Sequence, residues 1–349
     1  MRARAVLGWG LSFFLVGQLS LSLALETIAP GLRARDYAYK REWLASLQKQ
    51  HPDRPLVLMV GSSRTLGGFQ ASRLHDLPGP DGKPVTAFNF GLILTGPIKE
   101  NLLVRTLSEE GVRPRLLLVE VLPPFLSAPG EERQGEESWL EVETLTLPQL
   151  AQLWSYCEQP GKLGRRWLWS RVLPAYHHRV RLLDSVLRSW QAPPIQPKAT
   201  RLIDRWGWSC GAGQRVVTPA SSWKWTSTAY YFFGSPLVYF RLGAGPTQAL
   251  RDLLGHCRQE GIVVALVLMP EGSQFRSWYP AQAREAIDGL MKDLAREEHV
   301  EVIDARTWVP DHGFWDSHHM LPHGAKIFTG RLIPEVQRLL KQTDPTRAP

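Results

Sequence analysis

The chain is poor in cysteine. Its 349 residues hold three, Cys157, Cys210 and Cys257, with no CxxC pair. That excludes a zinc ribbon and a multi-bridge disulfide framework. One Cys157–Cys210 bridge stays open, and Cys257 falls in a helical pattern as a buried apolar residue. There is no long Lys/Arg block although the net charge is +8. The basic residues are scattered and no nucleic-acid-binding motif is present, so no nucleic-acid partner is expected. No HExxH pattern occurs, and no cofactor is expected.

What is present begins at the N-terminus. Arg2 and Arg4 precede Ala5 to Leu25, an uncharged and mostly apolar stretch of 21 residues. About 20 apolar residues span a bilayer as a helix, and flanking arginines stay on the cytoplasmic side. A cleaved signal sequence is the rival reading, but Leu23-Ala24-Leu25 is a poor cleavage site. Residues 1–25 are therefore expected as an anchor. The remainder is placed outside the cytoplasm, in a periplasm or at a cell surface.

Residues 26–50 read as a juxtamembrane helix, with Tyr39, Trp43, Leu44 and Leu47 near helical spacing. Leu56–Val60, Val85–Phe90, Arg115–Leu122, Ile262–Met269 and Val300–Asp304 read as buried strands, the first three and the last two alternating with helices. The pattern predicts an α/β protein, a three-layer α/β/α sandwich with a mostly parallel, flavodoxin-like sheet. Two segments, 51–127 and 246–349, make up this domain. Between them, 128–245 lacks clean alternation and is rich in tryptophan, which predicts one large insertion. Its tryptophans suit sugar stacking, a core or a membrane interface.

Two stretches carry chemistry. The first strand ends in Gly61-Ser62-Ser63-Arg64-Thr65, which puts a hydroxyl at the carboxyl edge of the sheet, where open α/β folds bind ligands. A serine there becomes a nucleophile only beside a base. The loop before the last helix supplies one, in Asp316-Ser317-His318-His319 followed by Pro322-His323-Gly324. An aspartate three residues before a histidine can orient it as a general base. A metal set of Asp316, His318, His319 and His323 is the competing reading of this loop. Adjacent histidines rarely converge on one ion, so no metal is expected. His177-His178 reads as a solvated pair. Glu120 and Glu271, at strand ends, read as pocket or capping residues.

These motifs resemble the SGNH/GDSL hydrolase superfamily, whose Gly-Asp-Ser-x-Thr block matches Gly61 to Thr65 and whose Asp-x-x-His block matches Asp316 to His319. The resemblance covers roughly the first and last thirds of the segment after the anchor. It implies Ser63 as nucleophile, His319 as base and Asp316 as its orienting acid. Its glycine block resembles Asn89-Phe90-Gly91. It thereby implies an oxyanion hole from the Gly91 and Ser63 backbone N–H groups. Arg64, Asn89 and His318 are candidate substrate-binding residues. Two departures stand out: Ser62 replaces the family's aspartate, and Val119-Glu120-Val121 lacks the family's asparagine after the third strand. They resemble the membrane-anchored, extracytoplasmic branch that moves acyl groups onto cell-surface polymers. The implied activity is that of an esterase or O-acyltransferase on a carbohydrate or other ester-bearing substrate. A polysaccharide-binding protein on the same fold is the alternative.

Overall fold

Five short strands form one sheet: β1 (Leu56–Gly61), β2 (Thr86–Gly91), β3 (Leu116–Val121), β4 (Val263–Leu268) and β5 (Glu301–Asp304). All neighbours are parallel, in the order β2-β1-β3-β4-β5. Every residue of β1, β2 and β3 is buried. That double-sided burial is why these strands are mostly apolar along their length instead of alternating. The computed structural model describes residues 2–79, 82–128, 135–186, 202–209 and 217–342. The Cys157–Cys210 bridge involves a residue outside this set; Cys257 is buried, and burial pushes its thiol up to about 12.

The helices in chain order are α1 (Arg2–Thr27), α2 (Pro30–Arg33), α3 (Arg35–Gln50), α4 (Ser63–Gly68) and α5 (Pro97–Glu109). Then come α6 (Leu147–Leu153), α7 (Pro160–Val172), α8 (Pro174–His177), α9 (Arg179–Val186) and α10 (Pro219–Val238). Last are α11 (Ala244–Gln259), α12 (Ser273–Arg276), α13 (Ala281–Glu297) and α14 (Pro322–Gln342).

The chain divides into two compact units, one of Met1–Tyr39 with Glu141–Lys198, the other of Lys40–Leu140 with Ala199–Pro349. The tryptophan-rich stretch 128–245 falls partly in each and is largely helical where described. In the first unit α1 is long and apolar enough to cross a membrane and is mostly exposed. At its end Glu26 forms ion pairs with Arg33 and Arg171. His178, expected in solvent, is buried there, and burial drives it down to about 4.

The second unit holds the sheet. Val57 and Met59, Leu116 and Leu118, and Ala265 and Val267 share one face, packed in one core with Phe328, Leu332 and Val336 of α14. Residues of the opposite parity, such as Val60, Phe88 and Leu117, are equally buried. Both faces are covered, which is compatible with a three-layer α/β/α fold. The strand order reverses between β1 and β3, the switch point of a doubly wound sheet, where crevices open at the carboxyl ends of strands.

Candidate active site

Ser63 stands at that switch point. β1 ends at Gly61, where a Cβ would come within 2.2 Å of Thr65 Oγ1 and 2.5 Å of Glu120 Oε2. Only glycine allows so tight a strand-to-helix turn. Ser62 caps α4, its Oγ accepting from the Arg64 N–H at 3.0 Å. Glu120, near the end of neighbouring β3, fixes the rest of the turn. Its Oε2 accepts from the backbone N–H groups of Ser62 (2.8 Å) and Thr65 (3.2 Å) and from Thr65 Oγ1 (2.6 Å). Ser62 Oγ donates to Oε1 at 2.9 Å. The Leu66 N–H goes to Ser62 O. The Ser63 N–H has no acceptor among the described residues, and the Ser63 side chain is half-buried.

The base arrives from the loop between β5 and α14. Phe314 and Met320 pair across it as an isolated antiparallel bridge, and the Trp315 N–H donates to His319 O at 3.1 Å. Ser317 takes a left-handed φ of 69°. That conformation is costly for a residue with a Cβ and persists where surroundings hold it. Here the Gly272 N–H donates to Ser317 O (2.8 Å) and the Phe275 N–H to Ser317 Oγ (3.0 Å). The turn lets Asp316 Oδ1 accept from the backbone N–H groups of His318 (3.2 Å) and His319 (2.7 Å). Oδ2 accepts from His319 Nδ1 at 2.6 Å. A carboxylate there can only accept, so Nδ1 carries the proton and Nε2 is left as acceptor for Ser63 Oγ, 2.8 Å away. Ser63, His319 and Asp316 are thus brought together in one line.

The electrostatics suit that line. Burial works against the Asp316 charge, but the His318 and His319 rings and the hydrogen bonds from His319 outweigh it and hold the carboxyl at about 2. His318 is buried, stacked on Phe275 at 24° and edge-on to Phe233, and burial drives it down to about 3. It is therefore neutral and makes no ion pair with Asp316. Trp315 lies parallel to His319, with ring centroids 5.2 Å apart, and Trp225 of α10 meets Trp315 edge-on.

Other expectations are corrected. The Gly91 N–H donates to Asn89 Oδ1 at 2.9 Å, so it is not a ready oxyanion donor. Gly91 is small for packing: a Cβ would sit 2.4 Å from Leu66 N. Asn89 is fully buried, its Nδ2 donating to Thr65 O and Phe69 O at 2.7 Å each. Arg64 is buried too, donating to Met269 O (2.8 Å) and Pro270 O (3.0 Å) between Glu120 and Glu271. Burial raises Glu271, whose Oε1 accepts from Tyr279 Oη at 2.8 Å. His318 is packed away from solvent as described. All three side chains are buried and held by neighbours within the second unit. His323 is exposed and bonds His312 O, apart from the other loop residues. Asp316, His318 and His319 bring possible metal-ligand atoms within 4.8 Å of one another. Both His319 nitrogens are, however, already committed to Asp316 and Ser63.

Of the two readings of Glu120, pocket or capping, the structure shows a form of the second: its carboxylate accepts from N–H groups at the start of α4. The signal was a lone carboxylate in an otherwise apolar strand, which must find partners when buried. No protein-family model matches the chain, and no curated protein matches it either.

Proposed function

We propose that the chain is a serine-nucleophile esterase or O-acyltransferase of SGNH type, acting on ester groups of an extracytoplasmic carbohydrate. The observation that carries this reading is the continuous relay Ser63 Oγ–His319–Asp316, with contacts of 2.8 and 2.6 Å. Ser63 Oγ attacks the ester carbonyl while its proton passes to His319 Nε2. Asp316, ionised and buried, steadies the imidazolium and keeps the tautomer. The Ser63 N–H donates to the oxygen that gains charge. Collapse of the tetrahedral adduct expels the alcohol, which takes the proton back from His319. Water then releases the acyl group in hydrolysis, or a sugar hydroxyl accepts it in transfer. In this reading the sheet with its flanking helices is an SGNH-type sandwich, α1 is an uncleaved membrane anchor, and the second unit faces away from the cytoplasm.

The occupied Gly91 N–H favours one alternative, a catalytically weak or inactive polysaccharide-binding protein of the same fold. A missing oxyanion donor typically slows acyl transfer by about 10²–10³. A fluorophosphonate probe decides between them. We expect labelling of wild type and none of Ser63→Ala, with His319→Ala slowed by at least about 10³-fold. Absence of labelling in all three would remove the enzyme reading. Labelling that survives Ser63→Ala would move the nucleophile elsewhere.

A further inference from the structure

Helix α10 carries apolar residues well beyond its buried side. Its inner stripe, Thr226, Ala229, Phe233 and Leu237, is buried in the second unit. Phe233 touches Phe125, Phe275 and His318. At about 100° per residue, Trp223, Tyr230, Tyr231 and Val238 fall on another stripe, centred roughly 105° round the helix. These four are 71%, 48%, 74% and 41% exposed. Ser227 and Ser235 lie among them, and the stripe borders a groove of about 590 Å³. A helix apolar on more than its core side calls for a second apolar or interfacial environment.

We infer that the outer stripe of α10 rests on the surface of the bilayer that holds α1. This rests on the anchor reading of α1. Three observations favour lipid over sugar or protein. First, the whole helix contains no Asp, Glu, Asn or Gln. A sugar site needs such carboxylates or amides for hydroxyls, whereas a lipid–water boundary suits tryptophan and tyrosine, which have an apolar body and a polar tip. Second, the one charged residue in α10 is Lys224, whose exposed side chain can reach anionic headgroups. Third, the end of α1 at Thr27 is joined to Lys40, where the second unit begins, by a short segment. Fully extended it spans no more than about 45 Å. The tether therefore keeps the second unit, which carries α10, within reach of that membrane. The inner side of the same helix reaches the catalytic loop through Trp225 and Trp315.

The test uses the full chain with Cys210→Ser, reconstituted in vesicles of phosphatidylethanolamine and phosphatidylglycerol. Spin labels are placed at Trp223→Cys and Tyr231→Cys. Phe13→Cys on α1 and Gln282→Cys, exposed on α13, serve as references. Collisions with dissolved oxygen should exceed those with an aqueous nickel chelate severalfold at positions 223 and 231, with the reverse at 282. Preference for the nickel chelate at both α10 positions, with oxygen preferred at 13, would overturn the inference and leave the anchor standing. Preference for nickel at 13 as well would remove both. Dipolar broadening at 231 that grows with protein density would replace lipid by a second copy of the chain.

Discussion

The two halves of the candidate site are held by different forces. The nucleophile turn is clamped by charge: one buried carboxylate, Glu120, takes hydrogen bonds from both the backbone and the side chains of Ser62 and Thr65. The base loop is held by shape: His318 lies between Phe275 and Phe233, and Ser317 is locked in a left-handed turn against Gly272 and Phe275. A charge clamp is stiff and unforgiving, because a donor left unpaired in the interior costs the full desolvation of that group. Aromatic packing tolerates a change of ring, provided shape is kept. The two halves should therefore respond differently to isosteric substitution.

The largest effect is expected where the loop meets chemistry. Asp316→Asn keeps the shape but can donate to His319 Nδ1 and so favours the wrong tautomer. We expect the labelling rate to fall by about 10³–10⁴ with little change in unfolding midpoint. A fall of less than tenfold would mean that Asp316 only supports the loop. Next comes the clamp. Glu120→Gln replaces an acceptor by a donor opposite the turn's N–H groups and leaves Arg64 with Glu271 as its one ion-pair partner among the described residues. A loss of about 3–5 kcal/mol in denaturant unfolding is expected, together with slower labelling. An unchanged unfolding curve would break the contrast between the halves.

The smallest effect concerns the packed side and depends on pH. His318 titrates at about 3 in the folded chain because it is buried, against 6.5 for an ordinary histidine. Below pH 6.5 the unfolded chain binds a proton that the folded chain refuses, so stability falls as pH drops from 6.5 towards 3. His318→Phe keeps a ring between Phe275 and Phe233 and removes this loss. Relative to wild type it should gain about 2–3 kcal/mol between pH 7.5 and pH 4.5. The raised carboxyls Glu100, Glu136 and Glu271 are common to both proteins and cancel in the difference. Equal slopes for the two proteins would show that His318 is reached by solvent.

The five strands were legible to within one or two residues, most plainly β1 and β4, whose apolar runs are unbroken; β5 is short, partly exposed and acidic at both ends. The Asp-x-x-His spacing was legible because one local turn serves both side chains. The fates of Arg64, Asn89 and His318 were not. Arg64 is decided by carbonyls at 269 and 270, and His318 by rings at 233 and 275, none of them near in sequence. Gly91 is different. Asn89 sits two residues before it and competes for its N–H, a local habit of asparagine that motif matching passes over. The tryptophan-rich stretch has no periodic pattern to read, and its residues fall in two units.

The Glu120 clamp also orders events in time. Ser63 is positioned only after β3 has paired alongside β1, and it meets His319 only when residues 256 apart in sequence have closed. Contacts of such separation form late, because the entropy of closing a long loop is spent before the contact stabilises anything. Recovery of probe reactivity during refolding should therefore lag behind recovery of helical signal, and the serine should become reactive last.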